Sequence, residues 1–343
     1  MSRIDLNAVT QWISAAALEH PLDLIDVVGE RLGVGRATAR RVVGKLVAAQ
    51  WLQRTGSTRR SHFAPGLLRQ VVQRYPLPGL QEDMPWSRDF APCFALPAGV
   101  GRLVRHAFTE LLNNAIDHSG GTTVTVSMRQ TPSHVQLLVS DDGCGLFEHI
   151  GQAFAIEEPK LAMLELSKGK LSSQPDWHTG RGLYFTARIA DVLDVHANAA
   201  AFQHRAWQAN RWQPVRPATQ QGTSVFVAFA LDTQRSLDEV MRAHSLDGQG
   251  YGFERTVVPL QLLDDSTRVL ESRAQARRVG SRLQQFRRAE LDFEGIEEIG
   301  HGFADELFRV FAREHPGVEL VPTHMTARVA ALVASVQPIR SAR

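Results

Sequence analysis

The sequence predicts an α+β protein of several domains, and three observations lead to this fold class. Its 343 residues exceed the usual length of one domain. Its 43% hydrophobic and 22% charged residues are typical of a protein that buries extended cores. Helical and strand-like apolar patterns both occur, and the proline-rich stretch "YPLPGLQEDMPW" interrupts them. We therefore expect domains at 1–75, 89–235 and 250–343, with a linker at 76–88.

Composition excludes several classes of protein. No run of about 18 apolar residues could span a bilayer, and "MSRIDLNAVTQWIS" lacks the apolar core of a secretory signal, so we expect a cytoplasmic protein without a membrane partner. The two cysteines, Cys93 and Cys144, lack the spacing of a metal-thiolate centre or a disulfide framework. A formal net charge of +2 does not by itself indicate a nucleic-acid partner.

The first domain shows three helical patterns and then two extended pieces. The helical patterns are "LNAVTQWISAAALEH", "LDLIDVVGERLG" and "GRATARRVVGKLVAAQ", and "WLQRTGSTRRSHFAP" supplies a hairpin around a Gly-Ser turn. This order resembles a winged helix-turn-helix. Basic residues lie on its third helix and its wing: Arg36, Arg40, Arg41, Lys45, Arg54, Arg59 and Arg60.

Such a basic pattern favours binding of double-stranded DNA, with phosphate contacts from the wing and the helix start and arginine at guanine edges. A homodimer is then expected, since a second copy raises affinity. Two alternatives stay open for this domain: a three-helix domain with a solvated basic face, or a winged helix used for protein contacts.

The central domain contains a polar row inside an apolar helix pattern. In "ELLNNAIDHSGG" the residues Glu110, Asn114 and His118 are four apart and share one helix face. Three glycine signals follow: "VQLLVSDDGCGLF", "HTGRGLYFTARIADVLDV" and "QGTSVFVAFAL". A glycine-flanked helix start exposes backbone N–H groups to phosphate. Each of these motifs is weak evidence alone, so the interpretation depends on the order in which they follow one another.

In that order, "ELLNNAIDH", "DDGCG", "GRGL" and "GTSV" resemble the N, G1 and G2 boxes of the GHKL ATPases, the superfamily of gyrase, heat-shock chaperone, histidine kinase and mismatch-repair proteins. The resemblance covers about residues 86–235 and implies the GHKL α/β sandwich, or Bergerat fold. It also implies ATP and Mg²⁺ as cofactors. Competing nucleotide signatures are absent: no Walker "GxxxxGK[ST]" occurs.

The resemblance implies a role for each matching residue. Asn114 matches the asparagine whose side-chain oxygen holds Mg²⁺, and Glu110 matches the carboxylate that positions or deprotonates water. Asp141 matches the aspartate that accepts a hydrogen bond from adenine, and Thr223 matches the threonine near the base. The remaining predicted nucleotide contacts are Gly143, Gly145, Gly180, Arg181, Gly182 and Leu183.

For several polar residues near the predicted ATP site, two interpretations stay open. Asn113, Asp117 and His118 belong either to the site or to a cap and a solvated face. Residues 146–179, with Lys160, Lys168 and Lys170, form a long polar stretch that by resemblance is the mobile lid over ATP; the alternative is an ordinary surface loop.

The last domain alternates strand-like and helix-like stretches, which predicts a small α/β sheet domain. The phrases "SRAQARR" and "LDFEGIEEIGHGFADELFRVF" resemble a STAS-like domain of unknown function, the fold of anti-sigma-factor antagonists. In true antagonists a serine is phosphorylated in this region, where the present chain has Gly300, His301 and Gly302. His301 is then a phosphoacceptor or an exposed turn residue, and the domain is predicted to contact protein partners.

The leading functional prediction is an ATP-responsive DNA-binding regulator with slow or no ATP hydrolysis. Two alternatives remain: a serine/threonine or histidine protein kinase with Glu110 as base, and a nucleotide-gated assembly protein in stress or phage defence. The enzymatic status stays open between ATPase and kinase. None of the thirteen histidines is followed by Asp or Glu, which argues against an ordinary sensor histidine kinase.

Overall fold

The structure is a computed structural model, which describes residues 4–57, 60–171, 180–208, 212–218, 220–263 and 269–337. The chain divides into two compact units. The first unit contains Met1–Cys144 and Gln221–Gln234, and the second contains Gly145–Gln220 and Arg235–Arg343. The central segment expected at 89–235 is thus divided between the two units.

The described chain contains runs of helices followed by runs of strands. The helices are α1 (Leu6–Glu19), α2 (Leu24–Leu32), α3 (Arg36–Ala48), α4 (Asp83–Pro85), α5 (Ala98–His118), α6 (Leu146–Phe154), α7 (Pro159–Lys168), α8 (Gly182–Ile189), α9 (Leu237–Ala243), α10 (Arg273–Gly280), α11 (His301–Asp305), α12 (Ala312–Glu314) and α13 (Ala327–Val336). The strands are β1 (Leu52–Ser57), β2 (Arg60–Pro65), β3 (Arg69–Pro76), β4 (Thr123–Gln130), β5 (His134–Asp141), β6 (Val192–Ala197), β7 (Ala200–Arg205), β8 (Trp212–Pro214), β9 (Thr223–Ala230), β10 (Arg255–Pro259), β11 (Val269–Leu270), β12 (Arg288–Asp292), β13 (Glu298–Ile299) and β14 (Glu319–Thr323).

The first unit begins with a head of three helices and a hairpin, in the order that the sequence predicts. Asp5 caps α1 by accepting the N–H of Asn7, and α2 ends at Gly33, which adopts φ 63°. Strands β1 and β2 pair antiparallel. Apolar side chains from all three helices and the hairpin form one core, which includes Val9, Ile13, Leu24, Val28, Val43, Leu46, Leu52 and Phe63.

Strand β3 connects this head to an antiparallel sheet. It pairs with β4, which pairs with β5, which pairs with β9. Residues 69–75, which the sequence pattern assigned to the first domain, therefore belong to the sheet. Helix α1 packs on β3, and the hydroxyl of Ser14 accepts the N–H of Gln70. The proline-rich stretch after β3 contains the short helix α4.

The second unit contains an antiparallel meander and a small parallel sheet. Strands β6, β7 and β8 form the meander. In the parallel sheet β12 lies between β10 and β14, and β11 pairs with β13. The described residues of this last segment contain both strands and helices, as predicted for a small α/β domain, and the helix α10 ends at Gly280.

The alternative of an ordinary surface loop over 146–179 is wrong for the part that the structure describes. Residues 146–171 contain α6 and α7, and α7 packs against β10 and the turn Leu260–Leu263. Lys168 is completely buried. The predicted lid residues 172–179 lie outside the described residues. Among the described helices, none is long and apolar enough to cross a membrane.

Candidate functional site

Helix α5 presents the predicted polar row at the edge of its buried face. The buried face consists of Val100, Leu103, Val104, Ala107, Phe108, Leu111, Leu112 and Ala115. Glu110, Asn114 and His118 are half-buried, whereas Asp117 is exposed. The spacing of four residues therefore places the row at the edge of the core, as predicted for one helix face.

His106 adds a residue that the sequence analysis missed. Its Nδ1 lies 3.9 Å from Oε1 of Glu110, one helical turn later. Burial lowers the pKa of His106, so the ring is neutral near pH 7. The sequence spacing indicates this residue, because His106 lies four residues before Glu110 and extends the polar row by one helical turn.

The end of α5 is fastened to the turn "DDGCG" by Ser119. The Ser119 hydroxyl donates to the carbonyl of Ala115 (2.6 Å) and accepts the N–H of Gly121 (3.0 Å). The Ser119 carbonyl accepts the N–H of Cys144 (2.9 Å). A Cβ at Gly143 would lie 2.1 Å from that carbonyl oxygen. The close approach therefore requires glycine and fixes α5 relative to the turn.

Asp141 ends β5 with a buried carboxylate that is 7% exposed. Its Oδ1 accepts the N–H of Gly143 (3.0 Å) and of Thr223 (3.1 Å). Burial raises the pKa of Asp141, while these two N–H groups oppose the shift. Gly222 adopts φ 89°, and a Cβ there would lie 2.2 Å from the Asp141 carbonyl oxygen. Because both bonds engage Oδ1, the other carboxylate oxygen remains for a ligand, as far as the described residues show.

The adjacent Asp142 has a different role. It is exposed, and its carboxylate accepts the backbone N–H and the hydroxyl of both Thr122 and Thr123 at 2.7 to 2.9 Å. The N–H of Thr123 and the hydroxyl of Thr122 are the largest causes that lower the pKa of Asp142. These bonds fasten the start of β4 to the end of β5. Asp142 is therefore a structural residue of the turn.

The second unit contains the remaining predicted nucleotide contacts. Gly145 has φ 94° at the start of α6, and Gly180 has φ 61°. A Cβ at Gly180 would lie 2.3 Å from the Leu171 carbonyl oxygen. Arg181 and Gly182 begin α8, and Leu183 follows half-buried. The backbone at Gly180 thus adopts the conformation that glycine favours.

Arg181 is held by an aromatic ring of the second unit. Its guanidinium carbon lies 5.6 Å from the centre of the Phe253 ring. Its Nε is buried without a hydrogen-bond acceptor among the described residues. A buried donor without an acceptor costs about 1–3 kcal/mol, so an anion at this position would be stabilising.

The predicted DNA-contacting residues lie on the exposed side of the head. Helix α3 buries Ala39, Val42, Val43 and Leu46 and exposes Arg36, Arg40, Arg41 and Lys45. Arg60 on β2 is exposed, as is Arg54 on β1, whose Nε donates to the Ser61 hydroxyl at 3.0 Å. The predicted contact Arg59 lies outside the described residues.

The described residues fit an adenine nucleotide better than a pre-formed metal centre. Asp141 offers a buried acceptor beside two glycines at which the backbone is closely packed. No group of three or more His, Cys, Asp or Glu side chains within the described ranges could hold a metal ion. A hard cation would therefore need phosphate and water oxygens in addition to the amide of Asn114.

Comparison with known families agrees with this geometry. The family model described as "Histidine kinase-, DNA gyrase B-, and HSP90-like ATPase" matches residues 99–233. A second family model, "STAS-like domain of unknown function", matches residues 275–330. A search among curated proteins gave no match. The chain therefore carries a GHKL ATPase domain followed by a STAS-like domain, which confirms the resemblance of both segments.

Proposed function

We propose that this chain is a regulator that binds MgATP through its GHKL domain and duplex DNA through its N-terminal head. The buried carboxylate of Asp141 carries the proposal for ATP. With Oδ1 occupied by the N–H groups of Gly143 and Thr223, the free oxygen can accept the adenine amino group. Gly143 and Gly222 keep Cβ atoms away from the backbone beside that carboxylate.

Helix α5 would supply the groups near the phosphates. The amide oxygen of Asn114 suits Mg²⁺, and Glu110 is the base that would orient or deprotonate water. His106 lies 3.9 Å from Glu110 and would restrict the rotamers of its carboxylate. By resemblance, Gly180, Arg181 and Gly182 would contact phosphate oxygens.

Calorimetric titration of MgATP into the full chain tests this site. Asp141→Asn should abolish binding, because the amide N–H groups would face the adenine amino donor. Asp142→Asn is the matched control, since Asp142 bonds Thr122 and Thr123 and should leave ATP affinity unchanged. Asn114→Ala should remove the dependence of affinity on Mg²⁺. Wild-type affinity in the Asp141 variant would contradict the proposed site.

Incubation with γ-labelled ATP decides between a switch ATPase and a protein kinase. Free phosphate that forms slowly favours the switch, and label on a protein favours the kinase. Glu110→Gln should stop either reaction while MgATP still binds, because it removes the base and keeps the shape of the side chain. Retained turnover in that variant would contradict the role of Glu110.

The exposed basic residues of α3 and the hairpin support duplex DNA as a partner. Arg40, Arg41 and Lys45 lie on the face of α3 opposite its buried residues. Such a helix can enter the major groove while wing residues contact phosphates. A homodimer and a protein partner for the STAS-like domain complete the proposal.

Binding of labelled duplex DNA at several salt concentrations tests this function. The double variant Arg40→Ala/Arg41→Ala should weaken binding, because it removes two cations from the face of α3 that would enter the major groove. The control Arg102→Ala/Arg105→Ala removes the same charge from exposed positions of α5 outside the head. Equal losses of DNA affinity in both double variants, or binding that does not depend on the salt concentration, would argue against DNA recognition by α3.

A further inference from the structure

The outer face of helix α3 carries a single long side chain. The side that faces the core of the head consists of Ala39, Val42, Val43 and Leu46. Successive residues of a helix are about 100° apart around its axis. This rotation places four exposed residues on the side opposite the core: Ala37, Arg41, Gly44 and Ala48. Arg41 is therefore the one long side chain on this face of α3, a helix that the structure describes in full.

The residues beside Arg41 leave its surroundings open. Ala37 and Gly44 lie one helical turn before and after it, so no bulky side chain flanks the guanidinium along this face. A Cβ at Gly44 would meet no atom within 4 Å, so the fold of the head does not require glycine here. Glycine inside a helix is less stable than alanine, but it lets a ligand approach the backbone closely. Arg41 can then extend past the backbone toward that ligand.

Arg41 is oriented by a hydroxyl one helical turn earlier. Its Nη2 donates to Oγ1 of Thr38 at 3.2 Å. Thr38 is half-buried, and its branched Cβ restricts its rotamers in a helix. The bond engages one N–H of the guanidinium, and among the described residues no acceptor takes the others. Arg41 is thus directed by the protein and still has donors for a ligand.

The other basic residues of α3 lie at different positions around the helix. Arg40 and Lys45 are exposed on the two flanks of the outer face, about 140° apart around the axis. A helix in the major groove has a phosphate backbone on each side, which suits cations on both flanks. At the start of α3, Nε of Arg36 lies 3.3 Å from Oδ1 of Asp26 on α2, so a carboxylate lies beside that arginine.

We propose that Arg41 is the base-reading residue of α3 and that Thr38 is its positioning residue. The inference rests on the proposed DNA function, and it assigns the base that this face selects. A guanidinium that donates two parallel N–H bonds fits O6 and N7 of guanine in the major groove. The preferred duplex therefore has a guanine where it meets Arg41, and Arg40 and Lys45 contact phosphates without regard to sequence.

The test begins with duplexes that the full-length chain selects from a random-sequence pool. Each variant is then measured on the selected duplex and on an unrelated duplex of equal length. Arg41→Ala should weaken binding to the selected duplex about 10- to 100-fold and binding to the unrelated duplex much less. Arg40→Ala is the matched control, because it removes the same charge from the same helix. It should weaken binding to both duplexes alike and make binding less dependent on salt.

Two further changes test the contact and its orientation. Replacing the selected guanine by 7-deazaguanine removes N7, which should weaken binding of the wild type and leave that of Arg41→Ala unchanged. Thr38→Val removes the hydroxyl and keeps the shape, so the ratio of the two affinities should fall, whereas Thr38→Ser should restore it. A selected duplex without guanine, or an equal fall of the ratio in Arg40→Ala and Arg41→Ala, overturns the inference while DNA binding stands. If the wild type binds no duplex, the proposed DNA function itself is wrong.

Discussion

Two histidines of the second unit, the buried His204 and the half-buried His244, predict a loss of stability in mild acid. His204 is 4% exposed, and its ring faces Trp212 at 5.2 Å. Burial and the nearby charge of Arg188 lower the pKa of His204 from 6.5 to about 4. The same two causes lower the pKa of His244 to about 4. Both rings are therefore neutral in the folded protein at pH 7.

The sign and the size of the effect follow from these pKa values. Below pH 6.5 the unfolded chain binds protons that the folded chain excludes, so the free energy of unfolding falls with pH. The contribution is complete above about pH 6.5 and is lost as the pH falls to about 4. The difference of 6.5 − 4 = 2.5 in pKa corresponds to about 3 kcal/mol for each histidine.

Urea unfolding of the full chain at several pH values between 7 and 4 measures this contribution. Over that pH range, the free energy of unfolding of His204→Phe and of His244→Phe should each fall by about 3 kcal/mol less than that of the wild type. His134→Gln replaces an exposed histidine on β5 and should follow the wild type. If the free energy of unfolding falls with pH by the same amount in the wild type and in both histidine-to-phenylalanine variants, the two rings do not contribute this stability.

Three further substitutions test the packing beside the candidate site, helix propensity in α3, and the packing around α7. Gly143→Ala places a Cβ 2.1 Å from the Ser119 carbonyl oxygen, so it should destabilise the first unit by about 1–3 kcal/mol in thermal unfolding. Gly44→Ala meets no atom within 4 Å in α3 and should stabilise by about 0.5–1 kcal/mol; a loss there would contradict the helix-propensity argument. Lys168→Met leaves the acceptors of a buried ammonium unpaired and should cost about 3–5 kcal/mol in urea unfolding, whereas a cost below about 1 kcal/mol would show that the pair is nearly neutral.

Regular spacing made part of the fold predictable from the sequence. Helix α3 buries Ala39, Val42, Val43 and Leu46, which repeat at three and four residues, and this pattern is visible without coordinates. The polar row of Glu110 and Asn114 on α5 was predictable for the same reason, because its residues are four apart. His106 extends that row by one helical turn, although it lies outside the motif "ELLNNAIDH" that carries the family resemblance.

Burial that depends on distant residues could not be predicted. Lys168 lies in a stretch that reads as polar, and a lysine in such a stretch normally faces solvent. It is buried because its ammonium donates a hydrogen bond to the Arg278 carbonyl, 110 residues later in the chain, and because Glu165 neutralises its charge. The C-terminal end of α7 is therefore satisfied by a partner that no local pattern contains.

The two adjacent aspartates show how the two-residue period of a strand can place one carboxylate in the core and the next at the surface. In β5 the alternating side chains of Val135, Val139 and Asp141 are buried, so Asp141 continues the inward row. Asp142 falls on the next position and faces the hydroxyl and N–H groups of Thr122 and Thr123 instead. A carboxylate on the inward row pays a desolvation cost that a purely structural role does not need. That cost is offset at Asp141 by two N–H bonds to one oxygen, and in the proposed ATP site the second oxygen would accept the adenine amino group.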